Sequence, residues 1–151
     1  MTGKPILVAV DFSQVTEAVV NAAAELALQL DLPVTLIHVE PGEPEFVGYE
    51  PDPPSVRDSV ARTIRSHHRE LESLASELRG RGVTVTPLLI PGAAVERILE
   101  KAAEQEVGMI VIGSHGHGAL YDLIVGSVGH AVLKDARCPV LVVPSPREAE
   151  K

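Results

Sequence analysis

The sequence predicts an α/β fold: a single three-layer, doubly wound sandwich around a five-stranded parallel sheet. Three observations carry this. Short, wholly apolar runs alternate with segments whose apolar residues recur at helical spacing. The apolar runs lack polar alternation, as strands buried on both faces do. The helical segments between them are long enough to serve as crossovers, which place helices on both faces of a parallel sheet.

Ile6-Leu7-Val8-Ala9-Val10 reads as the first strand. Asp11-Phe12-Ser13 follows, with Ser13 a candidate helix cap. Val15, Val19, Ala22, Ala23, Leu26 and Leu30 then mark the inward face of a helix that stops at Asp31-Leu32-Pro33. Val34 to Val39 is the second strand. Residues 41–54 hold five prolines, and with Glu40 five acids, and read as a stiff acidic surface loop: a lid, a binding loop or a disordered stretch.

Ser55-x-x-Asp58 resembles a capping box. Val56, Val60, Ile64, Leu71, Leu74 and Leu78 make an apolar stripe along the helix it opens, which ends at Gly80 and Gly82. Val83 to Leu88 is the third strand; Pro87 lacks an N–H and so belongs at a sheet edge. Pro91-Gly92 opens a helix with Val95, Ile98, Leu99, Ala102 and Ala103 inward. Gly108 to Ile112 is the fourth strand, Val128 to Ala136 marks a last helix, and Pro139 to Val143 is the fifth strand.

Length and composition narrow the function. At 151 residues the chain reads as one domain, residues 1–151, large enough to bury a core without disulfide or metal. Only 3% of residues are aromatic, so Val, Leu, Ile and Ala must build that core. A net charge of −8 argues against nucleic-acid binding, which rests on phosphate neutralisation, and against anionic membrane surfaces. No apolar run is long enough to span a membrane. The first apolar run is too short for a signal-peptide core. One cysteine, Cys138, excludes a disulfide framework and points to a reducing, cytoplasmic setting.

In open α/β sheets ligands sit at the carboxyl ends of strands, where the strand order reverses. That directs attention to Asp11 after the first strand and Gly113 after the fourth. The fourth strand runs into Gly113-Ser114-His115-Gly116-His117-Gly118, and Gly126-Ser127 then starts a helix. Glycines let backbone approach a ligand, and successive N–H groups form an anion nest. The helix N-terminus favours phosphate, and the Ser127 hydroxyl can bond a phosphate or Mg²⁺.

These residues carry a family resemblance. Gly113-x2-Gly116-x9-Gly126-Ser127 resembles the nucleotide-binding motif of the universal stress proteins. Ile6 to Ser13 looks like that family's first strand and Asp-x-Ser turn, and Cys138 to Val143 like its last strand. The resemblance implies a strand order 3-2-1-4-5, adenine-nucleotide binding (ATP, AMP or cyclic AMP), homodimers and a regulatory role in stress response. It places Asp11 at the ribose or adenine side, Ala9 and Val39 along the adenine, and Gly113, Gly116, Gly126 and Ser127 at the phosphates. Ile112, Ser114, His115, His117 and Val128 flank the motif. Many members carry Arg or Lys between the second and third motif glycines; here the stretch holds His117, Tyr121 and Asp122 and no base. Either Mg²⁺ supplies the positive charge for ATP, or the ligand is a mono- or cyclic nucleotide. A different reading keeps the fold and drops the ligand, leaving a dimerisation and interaction module.

The remaining chemistry is sparse. His115 and His117 offer too few ligands for zinc and read as phosphate or ribose contacts. His67, on the stripe of the second helix, reads as a satisfied, partly buried histidine, and Cys138 as a small buried hydrophobe. No nucleophile elbow, P-loop lysine or kinase motif set is present, so the chemistry expected is at most slow ATP hydrolysis or self-phosphorylation. In the 3-2-1-4-5 order the strand within 139–144 is an edge, apolar on both faces, and the homodimer is expected through it.

Overall fold

The computed structural model describes residues 3–41, 54–114 and 126–145. Strands and helices alternate through them: β1 (Ile6–Ala9), α1 (Thr16–Leu30), β2 (Val34–Glu40), α2 (Pro54–Gly80), β3 (Val85–Pro91), α3 (Ala94–Glu104), β4 (Met109–Gly113), α4 (Ser127–Asp135) and β5 (Val140–Val143). The five strands form one sheet, parallel throughout, in the order β3-β2-β1-β4-β5. This is the predicted topology, with Pro87 on the β3 edge paired opposite Leu36.

The strand periodicity of two divides the core. Ile6, Val8 and Val10 of the first strand segment and Leu36 of β2 face the side covered by α1 and α2, against Val19, Ala23, Leu71 and Leu78. Leu7, Ile37, Ile110 and Ile112 face the other side, against Ile98 of α3 and Val132 of α4. Aliphatic residues fill both layers, as the aromatic-poor composition requires. The order reverses at β1, whose neighbours are β2 and β4.

Several boundaries depart from the sequence reading. Ser13 caps nothing: α1 begins at Thr16 with Val15 at its cap position, and no side-chain cap bond is made. Leu30, placed inward by periodicity, is 53% exposed at the helix end. α2 begins at Pro54, so Ser55 lies inside the first turn rather than at the cap. Its stripe is only half used: Leu71 and Leu78 are buried, whereas Val56, Val60 and Ile64 are exposed. The cause is length. A helix of 27 residues spans about 40 Å and a strand of seven about 23 Å, so the first half of α2 overruns the sheet. β3 lies two residues later than expected and extends through Pro91, which pairs with Glu40, so Pro91-Gly92 does not open α3. Gly92 makes the turn instead, at φ 134° and with its N–H donated to the Glu40 carbonyl at 2.8 Å.

The acidic loop expected over 41–54 lies, between residues 42 and 53, outside the described residues. Among the described residues no helix is long and apolar enough to cross a membrane.

Candidate functional site

At the carboxyl ends of β1, β2 and β4 the sheet opens into a cleft. Ala9 at the end of β1, with Val10 and Asp11 just after it, lines one side, Ile37, His38 and Val39 line it from β2, and Ile112 and Gly113 from β4. Val15 at the cap of α1, Thr16 and Val19 within it, Ala94 and Ile98 of α3, and Val128 and Gly129 of α4 complete it. The walls are mostly apolar, with small residues at Ala9, Ala94, Gly113 and Gly129. Such a wall leaves room for a flat ring, and a few polar groups orient what binds. One of them, the Thr16 hydroxyl, is buried with no hydrogen-bond partner among the described residues. A buried orphan hydroxyl costs free energy unless a ligand or water satisfies it. Among the described residues the lining includes one carboxylate, Asp11, and no lysine or arginine.

The chain leaves β1 by a turn built on Asp11, whose Oδ1 accepts the N–H of Ser13 at 3.0 Å. This side-chain turn replaces the expected Ser13 cap. Between them Phe12 sits at φ 61°, in the left-handed region that bulky residues avoid. Its ring packs on the imidazoles of His38 and His67, with centroids 4.5 and 5.0 Å away.

Of the residues singled out by sequence, Ala9, Asp11, Val39, Ile112, Gly113 and Val128 meet in the cleft wall. Gly126 is the cap residue of α4 and Ser127 its first helical residue, so the first turn of α4 adjoins the cleft through Val128 and Gly129. The leading N–H groups of a helix have no intrahelical acceptor and are suited to an anion. Ser114 is tied elsewhere: its Oγ accepts the N–H of Ser145 at 3.0 Å, which fastens the chain beyond β5 to the end of β4. His115, Gly116 and His117 lie outside the described residues. Sequence reasoning missed Thr16, Ala94 and Gly129, which helix packing alone brings to the cleft.

It also missed a second cluster. His38 and Glu40 are two apart on β2 and so share a face, which α2 covers. From α2 His67 hydrogen-bonds through Nδ1 to Oε1 of Glu40. His38 Nδ1 bonds the Val10 carbonyl at 2.8 Å, and its Nε2 stands 3.3 Å from the same Glu40 oxygen. His67 is thus the satisfied, partly buried histidine expected, but it belongs to a group of three.

Cys138, before β5, is half-buried. Burial pushes its thiol above the ordinary value, and a hydrogen bond with the Ile110 backbone pulls the other way.

The family model described as the universal stress protein family matches residues 3–144. Universal stress protein YxiE of Bacillus subtilis is 29% identical over 145 residues, which cover 91% of this chain and 97% of that protein. The solved structure of MJ0577 from Methanocaldococcus jannaschii has a TM-score of 0.77 at 26% identity and covers 99% of this chain and 100% of that one. A universal stress protein of Archaeoglobus fulgidus, solved in complex with dAMP, has a TM-score of 0.70 at 28% identity, over 95% of this chain and 99% of the other.

Proposed function

The chain belongs to the universal stress protein family, and we propose that within it this protein is an adenine-nucleotide-binding regulator of stress response, acting in the cytoplasm as a homodimer. One observation carries the reading most directly: Asp11 and Gly113 line the same cleft as the first turn of α4. The relative solved with dAMP supports the ligand class.

In this reading the apolar walls at Ala9, Val39 and Ile112 take the adenine. Asp11 accepts a hydrogen bond from the ribose or base side, and the orphan Thr16 hydroxyl gains a partner. Gly116 and Gly126 leave space for phosphates, Gly113 admits the close approach at the end of β4, and Ser127 bonds a phosphate oxygen or Mg²⁺. His115 and His117 are proposed to contact phosphate or ribose. Among the described residues the cleft lining brings no lysine or arginine. ATP is therefore proposed to bind with Mg²⁺, which supplies the missing positive charge, and AMP or cyclic AMP to bind without it. Calorimetric titration with ATP, AMP and cyclic AMP, with and without Mg²⁺, tests this. Saturable binding with a Mg²⁺ requirement only for ATP is expected.

A further inference from the structure

We propose that His38, Glu40 and His67 form a binding site for a divalent transition-metal ion of the Zn²⁺ class, separate from any metal carried by nucleotide. One donor atom from each residue lies within 4.8 Å of the other two. Two imidazole nitrogens and one carboxylate oxygen are a donor set suited to zinc and its first-row neighbours.

The hydrogen bonding of His38 argues for a cation. Val10 offers a carbonyl, which only accepts, so Nδ1 of His38 carries the proton. In the neutral ring the Nε2 lone pair is then the free one. That nitrogen is buried without a hydrogen-bond partner among the described residues, in a side chain 7% exposed. It faces a carboxylate oxygen 3.3 Å away. Two acceptors buried at that distance repel each other unless a cation lies between them. Metal-binding histidines commonly donate their second nitrogen to a backbone carbonyl, which fixes tautomer and ring orientation, and the bond to Val10 does this.

The spacing agrees. Bonds of about 2.0–2.1 Å at tetrahedral angles put neighbouring ligand atoms about 3.3 Å apart, the separation of His38 Nε2 and Glu40 Oε1. His67 lies closer to Glu40, in a hydrogen bond. Metal binding would exchange that bond for coordination: the Nδ1 proton leaves to solvent or to Nε2, and the lone pair turns to the ion. The Phe12 ring covers both imidazoles, giving the site an apolar shell that restricts water. Three protein ligands leave a fourth position for water or an added ligand.

The test uses the untagged full chain. Zn²⁺ is titrated in competition with a chromophoric chelator, and Co²⁺ absorption reads the geometry. One Zn²⁺ per chain and a tetrahedral Co²⁺ spectrum are expected. Outer-shell changes cost about 10–100-fold in metal affinity, so His67→Gln, which removes a ligand, should cost at least that much. Its partly exposed position keeps the fold testable by circular dichroism; Glu40→Gln should behave alike. His68→Gln, the exposed neighbour, and a His115→Gln/His117→Gln double variant should keep the site. Unchanged affinity in a folded His67→Gln variant, or no binding by the wild type, would overturn the proposal.

Discussion

A Cβ on Gly113 would stand 2.5 Å from Cγ1 of Val15, closer than side chains approach. β4 can lie against the start of α1 only because this residue is glycine. The first motif glycine therefore serves packing as well as the cleft wall. Gly113→Ala should destabilise by about 1–3 kcal/mol, as overpacking does, because β-branched Val15 has little rotamer freedom to withdraw. Urea unfolding checks it, and an unchanged midpoint would show that α1 shifts freely.

Asp11 has two roles that substitution can separate. Asp11→Ala loses both the acceptor for Ser13 and the charge proposed to meet the ligand. Asp11→Asn keeps an acceptor oxygen for the turn. The Asn variant should melt near the wild type while binding nucleotide more weakly by about 1.5–3 kcal/mol, the scale of a charged hydrogen bond. The Ala variant should lose both. Equal nucleotide affinity in all three would move the pocket away from Asp11.

Phe12 is held at φ 61° by its contacts with His38 and His67. Left-handed backbone costs an L-residue about 1–2 kcal/mol, and glycine almost nothing. Phe12→Ala keeps that cost and loses the ring contacts. Phe12→Gly should therefore be no less stable than Phe12→Ala, against the usual order. Thermal unfolding of the pair decides, and a clearly less stable Gly variant would show that the turn relaxes.

Cys138 should react slowly. Because burial raises its thiol above the ordinary value, less thiolate exists in the folded chain than in the unfolded one at a given mildly alkaline pH. Disulfide-exchange labelling should be slower in buffer than in urea. The same shift makes folding oppose ionisation, so this group's contribution to stability falls as pH rises past the unfolded thiol's value. Equal labelling rates would contradict the burial argument.

Much of this was legible in residue patterns. Buried strands announce themselves as apolar runs, and Pro87 marked its strand as an edge. Asp11 and Gly113 stand out because ligands of parallel sheets sit at strand ends, and both line the cleft. The His38–Glu40–His67 cluster was not visible, since 27 residues separate Glu40 from His67 and only the rotation of α2 about its axis joins them. The exposure of Val56, Val60 and Ile64 was equally hidden, because periodicity gives the direction of a face and not how far the sheet extends beneath it. Gly126-Ser127 as a helix start was legible because that signal is local: Ser127 is the first residue of α4.

The assembly prediction follows from the β5 edge. The Pro139 carbonyl accepts from Ile110 of β4 and the Val143 carbonyl from Ser114 just beyond it, so the N–H and C=O groups of Val140 and Val142 point away from β4. Those are the groups a second copy would pair with in the proposed dimer. Val142→Pro removes one outward N–H and leaves the β4 ladder intact. Sedimentation should show a dimer for the wild type and a shift to monomer for the variant; a variant still dimeric would place the interface elsewhere.

The measurement that bears most directly on the proposed function is calorimetry of the untagged chain with adenine nucleotides, beside Gly116→Val. The wild type should bind one nucleotide per chain, ATP more tightly with Mg²⁺ than without, and the variant, still folded, should bind none. No heat of binding from ATP, AMP or cyclic AMP up to millimolar concentration would contradict it and leave an interaction module on the same fold.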